Sequence, residues 1–363
     1  MSLKYALKLF GGYFFRWFGF STEPDLKKIG NPNKESLVFL TCNFNITVKR
    51  VIKALKGIDC FLLIAPSKGI NVWCGACGDD FNTDSVISII KTSGISELVS
   101  HRRLILPQLS APGIDPSIIK KELGWDVKFG PVYAKDIRNY VKFELNKTEQ
   151  MREVKFTIPK RIEIANMYFF TIFIILGLIF CIYALIIGKF DILLFFRSVI
   201  IIVINIYGAL IILPNIRTRT GRPKILLFEA ILIILIVFFN IFIFPNLFYL
   251  IWDMVISIVI SFILIEDFHG LTSIYKSELG KKTWEKGKKE MRFMGMKIKL
   301  QPYGKIRVER EKCIGCKVCI DVCPRNLYEF KLDDKKVEIH NPENCINCNA
   351  CVKRCLANCL EIV

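Results

Sequence analysis

The residues best suited by type and spacing to do chemistry are eight cysteines near the carboxyl end: Cys313, Cys316, Cys319 and Cys323, then Cys345, Cys348, Cys351 and Cys355. Both runs are spaced C-x2-C-x2-C-x3-C. A cubane iron–sulfur cluster needs four thiolates around it, and gaps this short place three of them on one tight loop. Zinc and disulfides are the bland alternatives. Zinc closes its sites with four ligands and rarely uses a doubled run of this kind. Two clusters would make this module a carrier of single electrons at low potential.

The doubled pattern resembles a bacterial two-cluster ferredoxin, in which the fourth cysteine of each run ligates the other cluster. That likeness assigns Cys313, Cys316, Cys319 and Cys355 to cluster 1, and Cys345, Cys348, Cys351 and Cys323 to cluster 2. It implies an α+β ferredoxin domain over residues 305–363. Eight of the 14 cysteines are then cluster ligands, which calls for a reducing compartment.

The other 300-odd positions must hold this module, and their composition says where. The chain has 363 residues, 52% of them apolar, and a formal charge of +18. Mean hydropathy is positive, at +0.39. With aromatics gathered in apolar runs, the positive excess reads as the inner flank of a membrane protein and not as a nucleic-acid surface. Residues 1–29 are basic and aromatic and could lie on a membrane face or form an ordinary packed helix. Lys4 and Lys8 interrupt the opening apolar stretch, so no signal peptide is expected.

Residues 30–146 read as an α/β domain. Strands are expected at Ser36–Thr41, Cys60–Ala65 and Leu104–Pro107, with a further edge at Asp126–Gly130. Helical stretches fall near Val48–Leu55, from Phe81 with Thr83 as N-cap and Gly94 as stop, and at Pro116–Leu123. Alternating strands and helices predict a mainly parallel sheet.

A charged linker over 147–166 leads to a transmembrane domain, 167–265. Its four apolar segments are Met167–Ile187, Ile192–Leu213, Ile225–Phe244 and Leu247–Ile265. Each has about the 20 residues needed to cross the hydrocarbon. Lys147, Arg152, Lys155, Lys160 and Arg161 precede the first; Arg217, Arg219, Arg222 and Lys224 separate the second and third. Lys276, Lys281, Lys282, Lys286, Lys288 and Lys289 follow the fourth, in a cytoplasmic linker over 266–304, whereas the other two loops carry only Lys189. The positive-inside rule then predicts a multi-pass cell-membrane protein with both termini cytoplasmic. Arg197 and Asp253 fall at matching depth and are expected to pair, holding the bundle together, with an ion path as the minority reading. Glu229 is expected to reach the headgroups near the inner face.

A second constellation is Lys68-Gly-Ile-Asn71-Val72-Trp73-Cys74-Gly75-Ala76-Cys77-Gly78. Small residues beside a cysteine and a tryptophan let something large approach the backbone. From the residues alone, Cys74-x-x-Cys77 could be a thioredoxin-like pair, half a zinc site, or packing.

In this context Asn71-Val-Trp-Cys74 is similar to the cap-helix motif N-V-W-C-A-A-G-K of the corrinoid protein of mercury methylation. The resemblance also takes in Gly30-Asn-Pro, Thr41-x-Asn43, Phe81-x-Thr83, the stretch His101 to Gln108, Ala111-Pro-Gly113 and Phe129-Gly-Pro131. It continues at Gly221-Arg-Pro and Lys288-Lys-Glu-Met. That family works with a small two-cluster ferredoxin, and this chain looks like both proteins fused. The resemblance implies a Rossmann-like corrinoid-binding fold for 30–146, with Cys74 as the thiolate facing cobalt. A cobalamin-like corrinoid would be surrounded by Thr41, Asn43, Asn71, Val72, Trp73, Gly75, Ala76, Gln108 and Gly113. It implies a corrinoid-dependent methyltransferase, reduced by its own two [4Fe-4S] clusters and acting on a soft metal ion such as Hg(II). Its partners would be a methyl-donor methyltransferase, a low-potential electron donor and membrane lipid.

The chain departs from the pattern by reading Cys74-Gly-Ala-Cys77-Gly, without the family's lysine and with a second cysteine. On a helix, Cys77 would share a face with Cys74 and is a possible substrate thiol; filling of the core is the alternative. The family's closing cysteine pair is absent, and Cys359 is expected to be a packing residue. Four spans stand where the family is usually drawn with five. The runner-up reading is a corrinoid iron–sulfur methyl carrier of one-carbon metabolism; a third is a membrane electron-transfer ferredoxin without corrinoid.

Overall fold

The computed structural model describes residues 3–15, 19–215, 221–243, 245–264, 290–293, 296–299 and 304–363. The chain divides into two units: Met1–Gly12, Phe18–Lys155 and Thr283–Val363 form one, and Tyr13–Trp17 with Phe156–Lys282 the other.

In the first unit, two central strands are continuous apolar runs, β2 (Leu37–Cys42) and β3 (Cys60–Ala65). Strands of this kind belong to sheets covered on both faces. With β1 (Asp25–Ile29), β4 (Arg103–Leu106) and β5 (Asp126–Phe129) they form a sheet of order β1-β3-β2-β4-β5. The last four are parallel; β1 runs antiparallel along β3, from Asp25 opposite Ile64 to Ile29 opposite Cys60. Strands β2, β3 and β4 lie within one residue of the expected positions. β1 lies in the stretch expected as a separate amino-terminal segment, and Thr22 N and Asn45 N also bond across to Asn43 O and Phe20 O. With three charged residues in five, Asp25-Leu-Lys-Lys-Ile29 gave no apolar run by which to recognise an edge strand.

Helix Asn45–Leu55 buries Ile46, Val48, Val51 and Leu55 and turns Lys49, Arg50 and Lys53 outward. Val48, Val51 and Leu55 join Phe39, Leu62, Ile64, Ile105 and Tyr140 in one core. Helix Thr83–Thr92 buries Val86, Ile87, Ile89 and Ile90. Its cap is Asn82, whose side chain accepts from Ser85 N at 3.0 Å, and not Thr83 as expected. Thr83 Oγ1 instead accepts from Asp115 N at 2.8 Å. Gly94 follows the helix in the left-handed conformation, φ 69°, the usual stop.

Chain order places β3 on one side of β2 and β4 on the other. Connections leaving at this point diverge, opening a crevice at the carboxyl ends of the strands where ligands of such sheets bind. The Cys74 segment follows β3 at that edge.

The ferredoxin-like region pairs Ile306–Val308 with Leu360–Ile362, and Tyr328–Lys331 with Lys336–Ile339. Its short helices Val318–Val322 and Ala350–Arg354 follow equivalent positions of the two cysteine runs. Glu290–Phe293 and Met296–Lys299 form a hairpin within the stretch expected as a plain linker. The remainder of 266–303, with the basic cluster from Lys276 to Lys289, lies outside the described residues, as do Arg217 and Arg219.

The second unit holds helices Ile158–Ile187, Ile192–Ile212, Gly221–Phe242 and Leu247–Leu264, each long and apolar enough to cross a membrane. The first begins nine residues before the expected Met167, so Lys160, Arg161 and Glu163 ride on its opening turns. At 1.5 Å per residue its 30 residues span about 45 Å, more than the hydrocarbon requires. Outward side chains such as Leu185, Phe242 and Phe262 are apolar and exposed. Inside, Arg197 pairs with Asp253 as expected and also donates to Asn240 Oδ1 at 2.9 Å. Glu229 departs from expectation: it is buried in the bundle and accepts from Ser261 Oγ at 2.5 Å. Ser261 and Ser257 also bond to Asn205, at 3.2 and 3.0 Å.

Candidate cofactor and cluster sites

Asn43 organises the edge beyond β2. Its Oδ1 accepts from Ser67 N (2.9 Å), Ser67 Oγ (2.8 Å) and Gly69 N (3.0 Å), while Nδ2 donates to Thr22 O at 3.0 Å. Gly69 is required here: φ is 72°, and a Cβ would lie 2.6 Å from Ser21 N. The loop delivers Asn71 as N-cap of helix Val72–Gly78, its Oδ1 accepting from Cys74 N at 3.0 Å. That bond fixes the turn from which the Cys74 side chain projects. Cys74 is half-buried, while Val72, Trp73 and Ala76 point into the core. A Cβ on Gly75 would come within 2.9 Å of Phe81 Cβ, so the glycine that weakens this helix also lets Phe81 close against it.

Cys77 is 1% exposed, and burial first, then the neighbouring Cys74, pushes its thiol well above the ordinary range; Lys353 opposes both. Of the two readings of Cys77, its burial favours filling of the core over a substrate thiol. Gly113 packs against the same helix, where a Cβ would stand 2.6 Å from Ala76 O.

Gln108, expected around a cofactor, is held at the ferredoxin-like region. It is 1% exposed, and its Nε2 donates to Arg152 O (2.9 Å) and Cys323 O (3.2 Å), while Oε1 accepts from Lys147 Nζ at 3.0 Å. Lys147, expected in a solvated linker, has a side chain only 2% exposed. Its ammonium lies 2.9 Å from Asp321 Oδ1 and donates to Asp321 O at 2.7 Å. Burial pulls it down to about 8 against the attraction of Asp321. Around this centre Val154 N donates to Pro324 O (2.9 Å), Lys353 Nζ to Pro112 O (2.6 Å), Arg354 pairs with Asp115 (2.9 Å) and Asn326 bonds to Glu149. The ferredoxin-like region is thus seated on the carboxyl edge of the sheet.

The cysteines of the two runs fall into two sets. Cys313, Cys316, Cys319 and Cys355 line one cavity, and Cys359 lines it with them. Cys323, Cys345, Cys348 and Cys351 are all buried together; burial foremost, then the other three thiols, pushes Cys348 well above the ordinary range. Tyr328 OH reaches Cys351 Sγ at 3.0 Å. A signal missed in the sequence is the matched backbone of the runs. Gly315 and Asn347 have φ of 68° and 55°, and Lys317 and Asn349 have 61° and 63°. These left-handed residues wind each loop so that amides turn toward sulfur, as Asn347 N does toward Cys345 Sγ at 3.4 Å. In the second run Asn347 and Asn349 carry that signal; in the first, Gly315 alone does.

A corrinoid would need polar contacts for its amide rim and an accessible soft donor. Thr41 Oγ1 and Trp73 Nε1 are buried without a hydrogen-bond partner, and Cys74 is the accessible thiol of the α/β domain, so the residues present fit such a group.

An α/β domain whose carboxyl edge seats a cysteine-rich, ferredoxin-like region defines the class. The comparisons with known proteins agree with it. Residues 19–141 match the family described as CO dehydrogenase/acetyl-CoA synthase delta subunit, and residues 305–356 match the 4Fe-4S dicluster domain. The first match includes β1. Among similar proteins is the acetyl-CoA decarbonylase/synthase complex subunit gamma of Methanopyrus kandleri, 31% identical over 124 residues, 34% of this chain and 26% of that protein. The same subunit of Archaeoglobus fulgidus is 33% identical over 122 residues, 33% of this chain and 26% of its own length. The chain thus spans about a quarter of the length of these relatives. They lend more support to the runner-up reading of the sequence than to mercury methylation.

Proposed function

We propose that this chain is a membrane-anchored corrinoid iron–sulfur methyl carrier. The observation that carries the reading is the seat of the cluster module beside the Cys74 helix, through Gln108 and Cys323. Similarity to subunits of the acetyl-CoA decarbonylase/synthase complex supports it. The domain plan is an amino-terminal segment and α/β domain to residue 146, a linker, a transmembrane domain over 167–265, a second linker, and a ferredoxin domain from 305. A bound corrinoid would supply a cobalt centre that takes and gives a methyl group, and two [4Fe-4S] clusters would supply single electrons to keep it competent.

The chain's residues prepare that chemistry. Asn71 fixes the helix turn that presents Cys74, whose soft thiolate suits cobalt. Thr41 and Trp73 offer polar atoms to the cofactor's rim. Asn43 holds the loop that carries the helix, and Cys77 packs beneath it. Gln108 and Lys147 hold the cluster module in register, and Cys313, Cys316, Cys319 and Cys355, with Cys323, Cys345, Cys348 and Cys351, bind its iron. The helical bundle anchors the assembly in the cell membrane, with both termini cytoplasmic by the distribution of lysine and arginine. A methyltransferase would load the methyl group, and a low-potential donor would supply electrons.

A second reading, methylation of a soft metal such as Hg(II) to methylmercury, is favoured by the Asn71-to-Cys74 motif and the accessible position of Cys74. The test is purification of the full chain under anaerobic conditions, cobalt and iron analysis, loading with methylcorrinoid, and transfer assays to a cobalt- or nickel-bound acceptor and to Hg(II). Protein with iron but unable to take up cobalt would leave only an electron-transfer role. Transfer to Hg(II) in preference to other acceptors would establish the second reading over the first.

A further inference from the structure

The two cysteine runs fold as an internal repeat, and the repeat is broken at one position. After Cys323 the chain continues to Asn326 and Leu327; after Cys355 it continues to Asn358 and Cys359. Asn326 and Asn358 share the left-handed conformation, φ 51° and 49°. The next residue offers its carbonyl to equivalent partners: Leu327 O to His340 N at 2.7 Å, and Cys359 O to Glu309 N at 2.8 Å. Leu327 and Cys359 are both buried. Cluster 2 therefore has leucine where cluster 1 has a thiol.

That thiol is placed among the ligands. Cys359 Sγ lies 3.3 Å from Cys355 Sγ, and Cys359 N lies 3.3 Å from the same sulfur. It lines the cavity shared by Cys313, Cys316, Cys319 and Cys355. A cubane takes four thiolates, and five thiols line this cavity. The backbone of Cys359 is also tied down by the Leu360–Ile362 strand, paired to Ile306–Val308, so Cys355 is not its only anchor.

We propose that Cys359 is an interchangeable fourth ligand of cluster 1, a reading that rests on the cluster assignment above. In the exchange a Cys359 Sγ–Fe bond forms as the Cys355 Sγ–Fe bond breaks. The proton leaves the Cys359 thiol and passes to the released Cys355 sulfur, its hydrogen-bonded neighbour. Iron oxidation state and net charge are unchanged, so no oxidant, reductant or outside base is needed. Cluster 2, with Leu327 at the equivalent position, has no such reserve.

The experiment compares wild type, Cys355→Ala, Cys359→Ala and the double variant in the full chain after anaerobic reconstitution with iron and sulfide. The EPR signal of cluster 2 reports that each chain is folded. Wild-type iron of about eight per chain is the precondition, and its absence would refute the cluster assignment itself. Given that, both single variants should keep about eight, and the double variant about four. Loss of four iron atoms in Cys355→Ala alone, or retention of all eight in the double variant, overturns the proposal. A measurement independent of Cys355→Ala is the cluster 1 EPR signal: two ligation forms in wild type that collapse to one in Cys359→Ala. A single unchanged form in both proteins overturns it as well.

Discussion

Gln108 donates to the carbonyl of Cys323 at 3.2 Å, joining residues 215 positions apart. One belongs to the loop after β4 and the other is the fourth cysteine of the first run, so Gln108 ties the α/β domain to the ferredoxin-like region. Gln108→Ala would leave the carbonyls of Arg152 and Cys323 and the ammonium of Lys147 short of a partner. Unpaired buried groups cost about 1–3 kcal/mol. The expected outcome is full iron content, a lower unfolding midpoint, and slower electron transfer from reduced clusters to bound corrinoid in stopped-flow. Wild-type transfer rates would deny Gln108 this role.

Lys147 gives that seat a pH dependence. Its pKa falls in the fold to about 8 from 10.5, chiefly through burial. Between those values the unfolded chain binds more protons than the folded one, so the stability contributed at this residue rises with pH. The penalty for burying the charge is fully present below about pH 8 and is relieved above it. Its size is on the order of 3 kcal/mol. The stability of wild type relative to Lys147→Met should therefore improve from pH 7.5 to 9.5, measured by thermal unfolding in one detergent. A difference that is flat or falls with pH would contradict this.

The two cysteines of the cap segment should separate cleanly. Cys74→Ala is expected to change the visible spectrum of bound corrinoid and abolish methyl transfer. Cys77→Ala should leave spectrum and transfer near wild type and cost roughly 1 kcal/mol of stability. Loss of transfer in Cys77→Ala at full cobalt occupancy would restore a chemical role to that thiol.

Crossed ligation predicts that Cys323→Ala disturbs the cluster of Cys345, Cys348 and Cys351, although Cys323 belongs to the other run. EPR should show the second cluster damaged and the first retained. Damage confined to the first would reverse the assignment.

In the bundle, removing one partner of Arg197 and Asp253 leaves the other charge buried. Asp253→Leu should destabilise by about 3–5 kcal/mol, whereas Arg197→Leu/Asp253→Leu should recover much of the loss. Equal destabilisation in single and double variants, followed by unfolding in detergent, would show that the pair does not act as a unit.

Short-range patterns were legible in the sequence by itself. The spacing of cluster cysteines is a local property, because three ligands must share one loop. Apolar runs reveal β2, β3 and the four long helices because hydrophobic length sets their role before any packing is known.

What only the tertiary structure decided depends on which way a side chain faces and what distant surface meets it. Charged β1 became a strand because β3 offered it an open edge. Glu229 and Lys147 read as solvated charges until neighbouring surfaces enclosed them. Cys77 and Cys74 lie one helical turn apart, yet packing buries the first and leaves the second accessible. Cys359 occupies the place of a core residue in a repeat, and only folding brings its sulfur to Cys355. Spacing along a chain specifies which groups can meet locally; the docking of surfaces determines which of them meet at all.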